Sequence, residues 1–243
     1  YLRSKGYYNA AVTDSIVFYG KKANVLYRIN PNFPYRVKNL SYSIEDTVIR
    51  RLVKGDSANC IITSKQLFDT DILQNERLRL ESYLRNSGFY NFSKDFITFS
   101  ADTSVYDHKV DVLLMIRNPP QVDKDGKRIA TNFKRYKVKK VFIYPNYDPI
   151  QFISGNQNST LDTVEYNGVQ YIFLGDPGIK LNVIHNANAI RPGIVYSNDI
   201  VSRSQNNLNL LKLYKFVNIS FTENVEISDS LKVNLFEEQN SDS

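Results

Sequence analysis

Several short stretches of the chain alternate between apolar and polar residues with a period of two, the pattern of a strand with one solvated face. In 97–102, apolar residues alternate with threonine, serine and aspartate, which predicts such a strand. In 110–116, apolar residues occupy nearly every position, which is typical of a central strand covered on both faces. Two further alternating stretches predict strands near 11–19 and 22–30.

A helix is predicted ahead of the strand at 97–102. Leu73, Leu80 and Leu84 are spaced so that they share one helical face. Gly88 follows them and can adopt the left-handed backbone conformation that ends many helices. The sequence therefore predicts an amphipathic helix that packs its leucines against the apolar strand and ends near this glycine.

The end of this helix belongs to a motif that recurs along the chain. The motif is a leucine and a basic residue, followed by a glycine and two aromatic residues. Its copies are 2–9, 84–91 and a weaker third copy, 211–218. The third copy has Lys215 where the others have glycine, so its helix must end by other means. Two strands follow each copy, and we expect those of the third copy at 216–222 and 231–236.

A second repeated element, found at 35–40 and 136–141, precedes the helices. In both copies the alternation of apolar residues changes phase in the middle. Tyr35 and Val37 have one parity, and the apolar residues from Leu40 onward have the other. The same slip in both copies predicts a β-bulge or a kink in each strand.

Together these elements predict an α+β fold built from tandem units with the order β-α-α-β-β. Each unit is expected to be a three-stranded mixed sheet with helices on one face. The predicted units are 1–31, which is the C-terminal part of a first unit, 34–118 and 133–238. The third unit contains an insertion at about 145–190, where Asn167 and Gly168 between two strand-like runs predict a β-hairpin. The polar, turn-rich segment 123–128 between the second and third units is interpreted as a linker.

This order of elements, with a helix-ending glycine and aromatic pair before the second strand, resembles the polypeptide-transport-associated (POTRA) domain. The residues that carry the resemblance are 34–40, 84–90, 135–141 and 191–197. POTRA domains occur in series on the periplasmic side of BamA/TamA-like outer-membrane assembly proteins, ahead of a membrane β-barrel. The resemblance implies that the chain is a soluble, excised region of such a Gram-negative protein, located on the periplasmic side of the outer membrane. It also implies a C-terminal barrel in the parent chain.

Composition and charge are those of an ordinary globular protein. Apolar residues make up 42% of the 243, and the 17 tyrosines and 14 phenylalanines suit half-buried strand surfaces. The formal net charge of +6 is too small to indicate nucleic-acid binding by itself. The single cysteine, Cys60, excludes an internal disulfide and a cysteine-based metal site. No apolar run approaches the roughly 18 residues that a transmembrane helix needs.

The sequence contains no constellation of catalytic or metal-binding residues. His108 and His185 lie in different predicted units, and neither has a cysteine or an acidic residue at metal-binding spacing. The glycines form neither a nucleotide-binding loop nor a nucleophile elbow. We therefore expect no enzymatic activity, no metal ion and no cofactor.

Two surfaces are candidates for binding a partner. The resemblance implies that the strand after the glycine and aromatic pair is an exposed edge, to which an extended partner adds by β-augmentation. The residues of this candidate edge are Phe96, Ile97, Thr98, Phe99, Ser100 and Ala101. The other candidate is a basic surface, which on a strand is either a solvated protective face or a docking face. Its residues are Arg135, Lys137, Lys139 and Lys140.

The leading hypothesis is a scaffold for outer-membrane protein assembly or translocation that binds unfolded β-barrel proteins at its sheet edge. Two alternatives stay open. One is a docking module for a periplasmic or inner-membrane partner protein, without contact to clients. The other is a secreted glycan-binding or hydrolytic domain, which the aromatic content and the many asparagines favour, although no pair of carboxylates marks a site.

Overall fold

The computed structural model describes residues 1–104, 107–122, 126, 128–146 and 161–223. The chain divides into two compact units. The first unit comprises Tyr1–Arg85 and Asn91–Lys134, and the second comprises Asn86–Tyr90 and the chain from Arg135 onward. The predicted strand at 231–236 and part of the predicted insertion, 147–160, lie outside the described residues. The assignment of three repeats at 1–31, 34–118 and 133–238 stays a prediction.

The helices and strands of the first unit follow the order expected from the sequence. They are β1 (Ala11–Tyr19), β2 (Lys22–Asn30), β3 (Arg36–Ile44), α1 (Thr47–Gly55), α2 (Thr70–Asn86), β4 (Ile97–Asp102), β5 (Lys109–Ile116), β6 (Pro120–Val122) and β7 (Arg128–Ala130). The last residue of α2 is grouped with the second unit. From β3 to β5 the chain has the β-α-α-β-β order that the repeats indicated.

Three of these strands form a mixed sheet in the order β3-β5-β4. β5 is the central strand and runs parallel to β3 and antiparallel to β4. The register between β3 and β5 shifts between Val37 and Asn39, which is where the alternation of apolar residues changes phase. The α+β fold class with three-stranded mixed sheets is confirmed, and the strand at 110–116 is central as predicted.

The core of the first unit lies between this sheet and the helices. Alternate residues of β5 are buried, namely Val110, Val112, Leu114 and Ile116. Ile72 and Leu73 of α2 pack against the cluster that contains Val110 and Val112. The residues between them on β5 are partly exposed, so the helices cover one face of the sheet.

α1 begins at a buried capping residue, Asp46. Its carboxylate accepts hydrogen bonds from the backbone N–H groups of Val48 at 2.8 Å and Ile49 at 3.0 Å. These bonds satisfy N–H groups of the first turn, which have no partner within the helix. The other carboxylate oxygen accepts the N–H of Phe133 at 3.0 Å. Asp46 therefore joins the start of α1 to the segment that follows β7.

β1 and β2 form an antiparallel hairpin whose residues are all exposed. Cross-strand pairing brings apolar side chains together on one face. The pairs on this face include Val12 with Ile29, Ile16 with Val25 and Phe18 with Ala23. An isolated two-stranded hairpin is marginally stable in water, because it buries little apolar surface.

The second unit contains a smaller mixed sheet and two helices. Its elements are β8 (Phe142–Ile143), β9 (Leu161–Tyr166), β10 (Val169–Leu174), α3 (Leu181–Ala187) and α4 (Asn198–Leu210). The sheet order is β8-β10-β9, with β10 parallel to β8 and antiparallel to β9. The turn between β9 and β10 is formed by Asn167 and Gly168, both at positive φ, as the sequence indicates.

The hairpin of β9 and β10 supplies two of the three strands of this sheet, where the sequence analysis treated it as an insertion. Val169, Tyr171 and Phe173 of β10 are buried in one cluster with Ile184 of α3 and Leu208 of α4. β10 and β9 thus hold beside β8 the positions that β5 and β4 hold beside β3 in the first unit. The predicted strand at 216–222 was wrong, since 211–223 contains no strand.

In the third copy of the recurring motif, the left-handed residue after the helix is not the one that matches Gly88 in the motif. α4 ends at Leu210, and Lys212, two residues later, has a φ of +55°. Gly88 stands two residues after the end of α2 and has a φ of +105°. Lys212, rather than Lys215, is therefore the left-handed residue that follows the last helix.

In the first unit, the glycine of the first motif copy is held by main-chain hydrogen bonds. The N–H of Tyr35 donates to the carbonyl of Gly6 at 2.8 Å, and the N–H of Phe68 donates to the carbonyl of Tyr35 at 2.9 Å. We call this pair of consecutive bonds the carbonyl relay. The ring of Tyr8 lies beside it, with centroids 5.2 Å from that of Tyr35 and 6.0 Å from that of Phe68.

The second unit repeats the carbonyl relay with different residues. The N–H of Tyr136 donates to the carbonyl of Gly88 at 2.9 Å, and the N–H of Tyr196 donates to the carbonyl of Tyr136 at 3.0 Å. The ring of Tyr90 takes the place of Tyr8, with centroids 6.2 Å from that of Tyr136 and 5.0 Å from that of Tyr196. The two repeated elements found in the sequence thus come together in the same way in both units.

Replacing Gly88 by alanine is expected to lower the free energy of unfolding of the second unit by about 2–3 kcal/mol. A Cβ atom at this residue would lie 2.8 Å from Cγ1 of Val195 and 2.8 Å from Cγ of Arg135. The positive φ adds backbone strain for any residue with a side chain. Urea denaturation followed by NMR signals of the second unit measures the loss.

Gly193 provides the matched control for this substitution. It also has a positive φ, +86°, but nothing lies within 4 Å of the Cβ that alanine would add. Gly193→Ala should therefore cost only the backbone strain, about 1 kcal/mol. If the two variants lose the same stability, close packing around Gly88 contributes nothing and the carbonyl relay tolerates a side chain there.

Candidate functional site

The open edge of the first sheet is formed by β4. Among the described residues, β4 pairs with β5 alone, so its other side carries no strand. Five of the six predicted edge residues, from Ile97 to Ala101, lie in this strand. Phe96 does not, because it ends a short 3-10 helix, Lys94–Phe96, that leads into the strand.

The direction of each N–H group in β4 follows from the pairing with β5. The N–H of Arg117 donates to the carbonyl of Phe96 at 3.3 Å, and Thr98 lies opposite Met115 in the same register. In an antiparallel pair, hydrogen-bonded and non-hydrogen-bonded positions alternate. Thr98 and Ser100 therefore direct their N–H groups toward β5, while Phe99 and Ala101 direct theirs toward the open edge. The N–H groups of Phe96 and Ile97 donate to the carbonyls of Ser93 and Lys94 in the 3-10 helix before the strand.

The side chains of β4 differ between its two faces. Ile97 is completely buried and Phe99 packs against the core cluster, while Thr98 and Ser100 alternate with them on the opposite face. Ala101 is exposed. β4 is therefore anchored to the core through one face. Its outward N–H groups continue as far as Ala101, near the exposed end of the strand.

A groove runs between β4 and α2 beside this open edge. Its volume is about 320 Å³, and its lining includes Thr70, Leu73, Gln74 and Arg77 from α2 and Ile97, Thr98 and Phe99 from β4. The guanidinium group of Arg77 is fixed, since it donates to the carbonyl of Lys94 at 3.0 Å and to Oε1 of Gln74 at 3.0 Å. The groove thus has an apolar base with polar groups at its margin.

A buried ion cluster lies on another side of α2. Glu76 is 1% exposed, and its carboxylate accepts bonds from Arg79 at 2.7 and 2.9 Å and from the N–H of Ile61 at 3.1 Å. Arg79 also pairs with Asp56. The bond to Glu76 raises the pKa of Arg79 above its usual value. Burial acts to raise the pKa of Asp56, but hydrogen bonds from Arg79 and Asn59 outweigh it and bring that pKa below its usual value.

The predicted basic surface lies in the second unit, away from any regular strand. Arg135, Lys137, Lys139 and Lys140 are all exposed. Lys137 forms an isolated bridge with Val195, and Nε of Arg135 donates to the carbonyl of Ser87 at 2.7 Å. The expected strand conformation was therefore wrong over most of this segment, because its hydrogen bonds go to a loop before α4 instead of a sheet.

The first unit contains a second groove that was not predicted from the sequence. It has a volume of about 490 Å³ and is lined by Phe33, Pro34, Arg36, Val37, Lys38, Ser64, Lys65, Asp107, His108 and Lys109. Arg36 and Lys38 are the repeat equivalents of Lys137 and Lys139, a relation that could have indicated this groove from the sequence. Lys65 and Lys109 come from distant parts of the chain, and no sequence pattern connects them.

The two histidines occupy different environments. The ring of His108 lies 5.5 Å from that of Phe33 and 5.4 Å from that of Tyr35, at the margin of the second groove. His185 is buried in α3, where its Nδ1 lies 3.1 Å from the hydroxyl of Tyr171. Burial lowers the pKa of His185. Within the described ranges, no three His, Cys, Asp or Glu residues are grouped as metal ligands.

None of the helices in the described part of the chain combines the length and apolar character needed to cross a bilayer.

Comparison with known proteins returned similarity in structure but not in sequence. No family model matches the chain, and no curated protein matches it. POTRA domains 3–5 of BamA from Haemophilus influenzae align with a TM-score of 0.43 and 11% identity, over 93% of this chain and 70% of that one. BamA from Haemophilus ducreyi lacking POTRA domains 1–3 aligns with a TM-score of 0.31 and 18% identity, over 49% of this chain and 21% of that one. Both of these solved structures are of BamA.

Proposed function

We propose that this chain is a periplasmic scaffold region of an outer-membrane protein assembly or translocation factor, which binds extended segments of unfolded β-barrel proteins along β4. The open edge of β4 is the observation that carries the proposal. The periplasmic location, and a C-terminal barrel in the parent chain, rest on the resemblance of the repeats to POTRA domains. The mechanism rests on the geometry of the first sheet.

An extended peptide placed beside β4 would become the fourth strand of the sheet. The outward N–H groups of Phe99 and Ala101 are two residues apart, a spacing of roughly 6.8 Å along a strand, which matches the repeat of any extended chain. Because these bonds use main-chain atoms, they tolerate varied client sequences. This tolerance is what an assembly factor for many barrel proteins requires.

The groove beside β4 would accept alternate side chains of the added strand. Successive side chains of an extended peptide point to opposite faces of the sheet, so every second one would face α2. Leu73 and Phe99 offer apolar surface there, and the anchored guanidinium group of Arg77 offers a polar margin. A client strand with alternating apolar and polar residues, as membrane β-strands have, fits this arrangement.

Ala101→Pro is expected to weaken binding of a peptide taken from an outer-membrane β-strand by about fivefold to tenfold. Proline removes the N–H group that points to the open edge, and it is tolerated in edge strands at such positions. Fluorescence polarisation of a labelled peptide measures the affinity, and backbone NMR signals of β4 and β5 report whether the variant keeps its fold.

Two controls accompany the proline variant. Ala101→Ser keeps the N–H group and should bind like the parent protein. Ser100→Pro removes an N–H group that faces β5, so it should destabilise the sheet instead of acting on binding alone. A folded Ala101→Pro variant that binds the peptide with unchanged affinity would contradict β-augmentation at this edge.

The basic surface of Arg135, Lys137, Lys139 and Lys140 supports the second candidate function, docking of an acidic partner protein. All four side chains are exposed. Binding through these charges would weaken as salt increases from about 0.05 to 0.5 M, because exposed charges are screened. The affinity for a peptide that pairs with the main chain of β4 should change little over the same range of salt concentration. Exchanging both Lys137 and Lys139 for glutamine abolishes binding of the outer-membrane β-strand peptide if that peptide docks on the basic surface. The exchange leaves binding of the peptide intact if it pairs with β4.

A further inference from the structure

The second groove of the first unit concentrates positive charge. Arg36, Lys38, Lys65 and Lys109 line it, and Asp107 is the one carboxylate among its lining residues. Asp107 already pairs with Lys109, with 2.8 Å between Oδ2 and Nζ. Within the part of the chain that the structure describes, Arg36, Lys38 and Lys65 form no ion pair. Three cationic side chains therefore share this groove without an acidic partner there.

Arg36 is held in position by the loop before α2. Its Nη1 donates to the carbonyl of Lys65 at 2.9 Å, while the N–H of Lys65 donates to the carbonyl of Val37 at 2.7 Å. One nitrogen of the guanidinium group is thus anchored to the backbone. A guanidinium group so anchored is pre-organised for the paired hydrogen bonds that it makes with a phosphate or carboxylate.

The backbone around the groove is strained at three residues. Lys65, Asp107 and His108 have φ values of +69°, +73° and +50°. Residues with a side chain seldom adopt this region. Lysine also lacks the short polar side chain whose local hydrogen bonds favour it in asparagine and aspartate. Strained residues that lie together often mark a binding site. Here they bring cationic and polar side chains to the same groove.

The margin of the groove is aromatic. Phe33 is 72% exposed and its ring lies 5.5 Å from that of His108. An exposed aromatic ring beside a charged groove can contact the apolar part of a ligand while the cations hold its anionic part. The groove, at about 490 Å³, also has room for more than an isolated phosphate ion.

We propose that this groove binds the phosphate group of a phosphorylated ligand, with Arg36, Lys38 and Lys65 holding the phosphate and Phe33 contacting the group that carries it. The ligand class is a phosphate monoester on a sugar or on a lipid headgroup. This inference does not depend on β-augmentation at β4, since the two sites share no residue.

The test compares three probes with the full chain, using ¹⁵N NMR: inorganic phosphate, glucose 6-phosphate and vesicles that contain phosphatidic acid. We expect amide shifts at Lys65 and His108, and tighter binding of glucose 6-phosphate than of inorganic phosphate if the ligand is a soluble sugar phosphate. Binding to phosphatidic acid vesicles, but not to vesicles of phosphatidylcholine, would identify a lipid headgroup as the source. If none of the three probes shifts these amides, the proposal is wrong.

Lys65→Asn is the decisive variant. Asparagine accepts a positive φ, so this change removes the charge and should not destabilise the loop. We expect this variant to bind about tenfold more weakly to whichever of the three probes the parent protein binds. Lys54→Gln is the matched control, because it removes one exposed positive charge from α1, outside the groove. Equal weakening by both variants would reduce the effect to net charge and overturn the site.

Discussion

Glu76→Ala is expected to lower the free energy of unfolding of the first unit by about 3–5 kcal/mol, the cost of removing one partner from a buried ion pair. The carboxylate of Glu76 is 1% exposed and accepts hydrogen bonds from two nitrogens of Arg79 and from the N–H of Ile61. Alanine would leave the N–H of Ile61 without its acceptor and would leave Asp56 as the remaining ion-pair partner of Arg79. Urea denaturation followed by NMR signals of β5 measures the loss.

Glu76→Gln separates the charge from the hydrogen bonds. Glutamine has nearly the same shape and can still accept from Ile61 or from Arg79, so its cost should be smaller than that of alanine. Exchanging Asp56, Glu76 and Arg79 together for apolar residues of similar size removes the whole cluster and should cost less than Glu76→Ala. A loss of less than about 1 kcal/mol for Glu76→Ala would show that the cluster contributes little to stability.

Leu84→Ala is expected to cost about 2–5 kcal/mol, the range for deleting a large side chain from a packed core. Leu84 lies in the last turns of α2 and is completely buried, as are Val112 and Leu114, the residues that its helical face was predicted to cover. Alanine removes apolar contacts and leaves a cavity that the sheet cannot collapse to fill. The same urea experiment measures this loss.

Leu78→Ala in the same helix is the matched control, because Leu78 is 43% exposed. The chemical change and the helix propensity are identical, so the difference between the two variants reports burial alone. We expect Leu78→Ala to cost below about 1 kcal/mol. Equal losses at the two leucines would mean that the apolar face of α2 had been assigned incorrectly.

The first unit was largely predictable, because its residues follow the period of two for strands and the helical spacing of leucines. The bulge at Val37 followed from the change in parity of the apolar residues, and the central position of β5 followed from the nearly continuous apolar run at 110–116. The edge position of β4 was implied by the resemblance to POTRA domains, and the alternation of apolar and polar residues in the strand is compatible with it. Side-chain alternation is local, so a sequence records it directly.

What the sequence does not record is which strand fills a given position in the sheet. The hairpin of β9 and β10, predicted as an insertion, supplies two strands of the second sheet, and Tyr171 and Phe173 bury their rings against α3 and α4. The direction in which the main-chain N–H groups of β4 point could not be predicted from the sequence either. Thr98 and Ser100 have exposed side chains, yet their N–H groups face β5, and this depends on the register with β5.

The second groove was missed for a related reason. Arg36 and Lys38 lie in one strand, whereas Lys65 and Lys109 come from a loop and from the start of β5. Positive charge scattered over 74 residues has no local pattern, and only the folded chain collects it. The positive φ of Lys65 cannot be inferred from a residue type that seldom adopts it.

The carbonyl relay has a consequence for how such a protein changes over generations. Each of its bonds joins an N–H group to a carbonyl group, so most substitutions leave the bonds in place. Mutational drift after duplication of an ancestral segment can therefore replace nearly every side chain while the turn geometry is inherited unchanged. The geometry itself requires a residue without a side chain only at the close approach, which is Gly6 in one unit and Gly88 in the other. A repeat of this kind can lose its recognisable ancestry in sequence long before it loses its architecture.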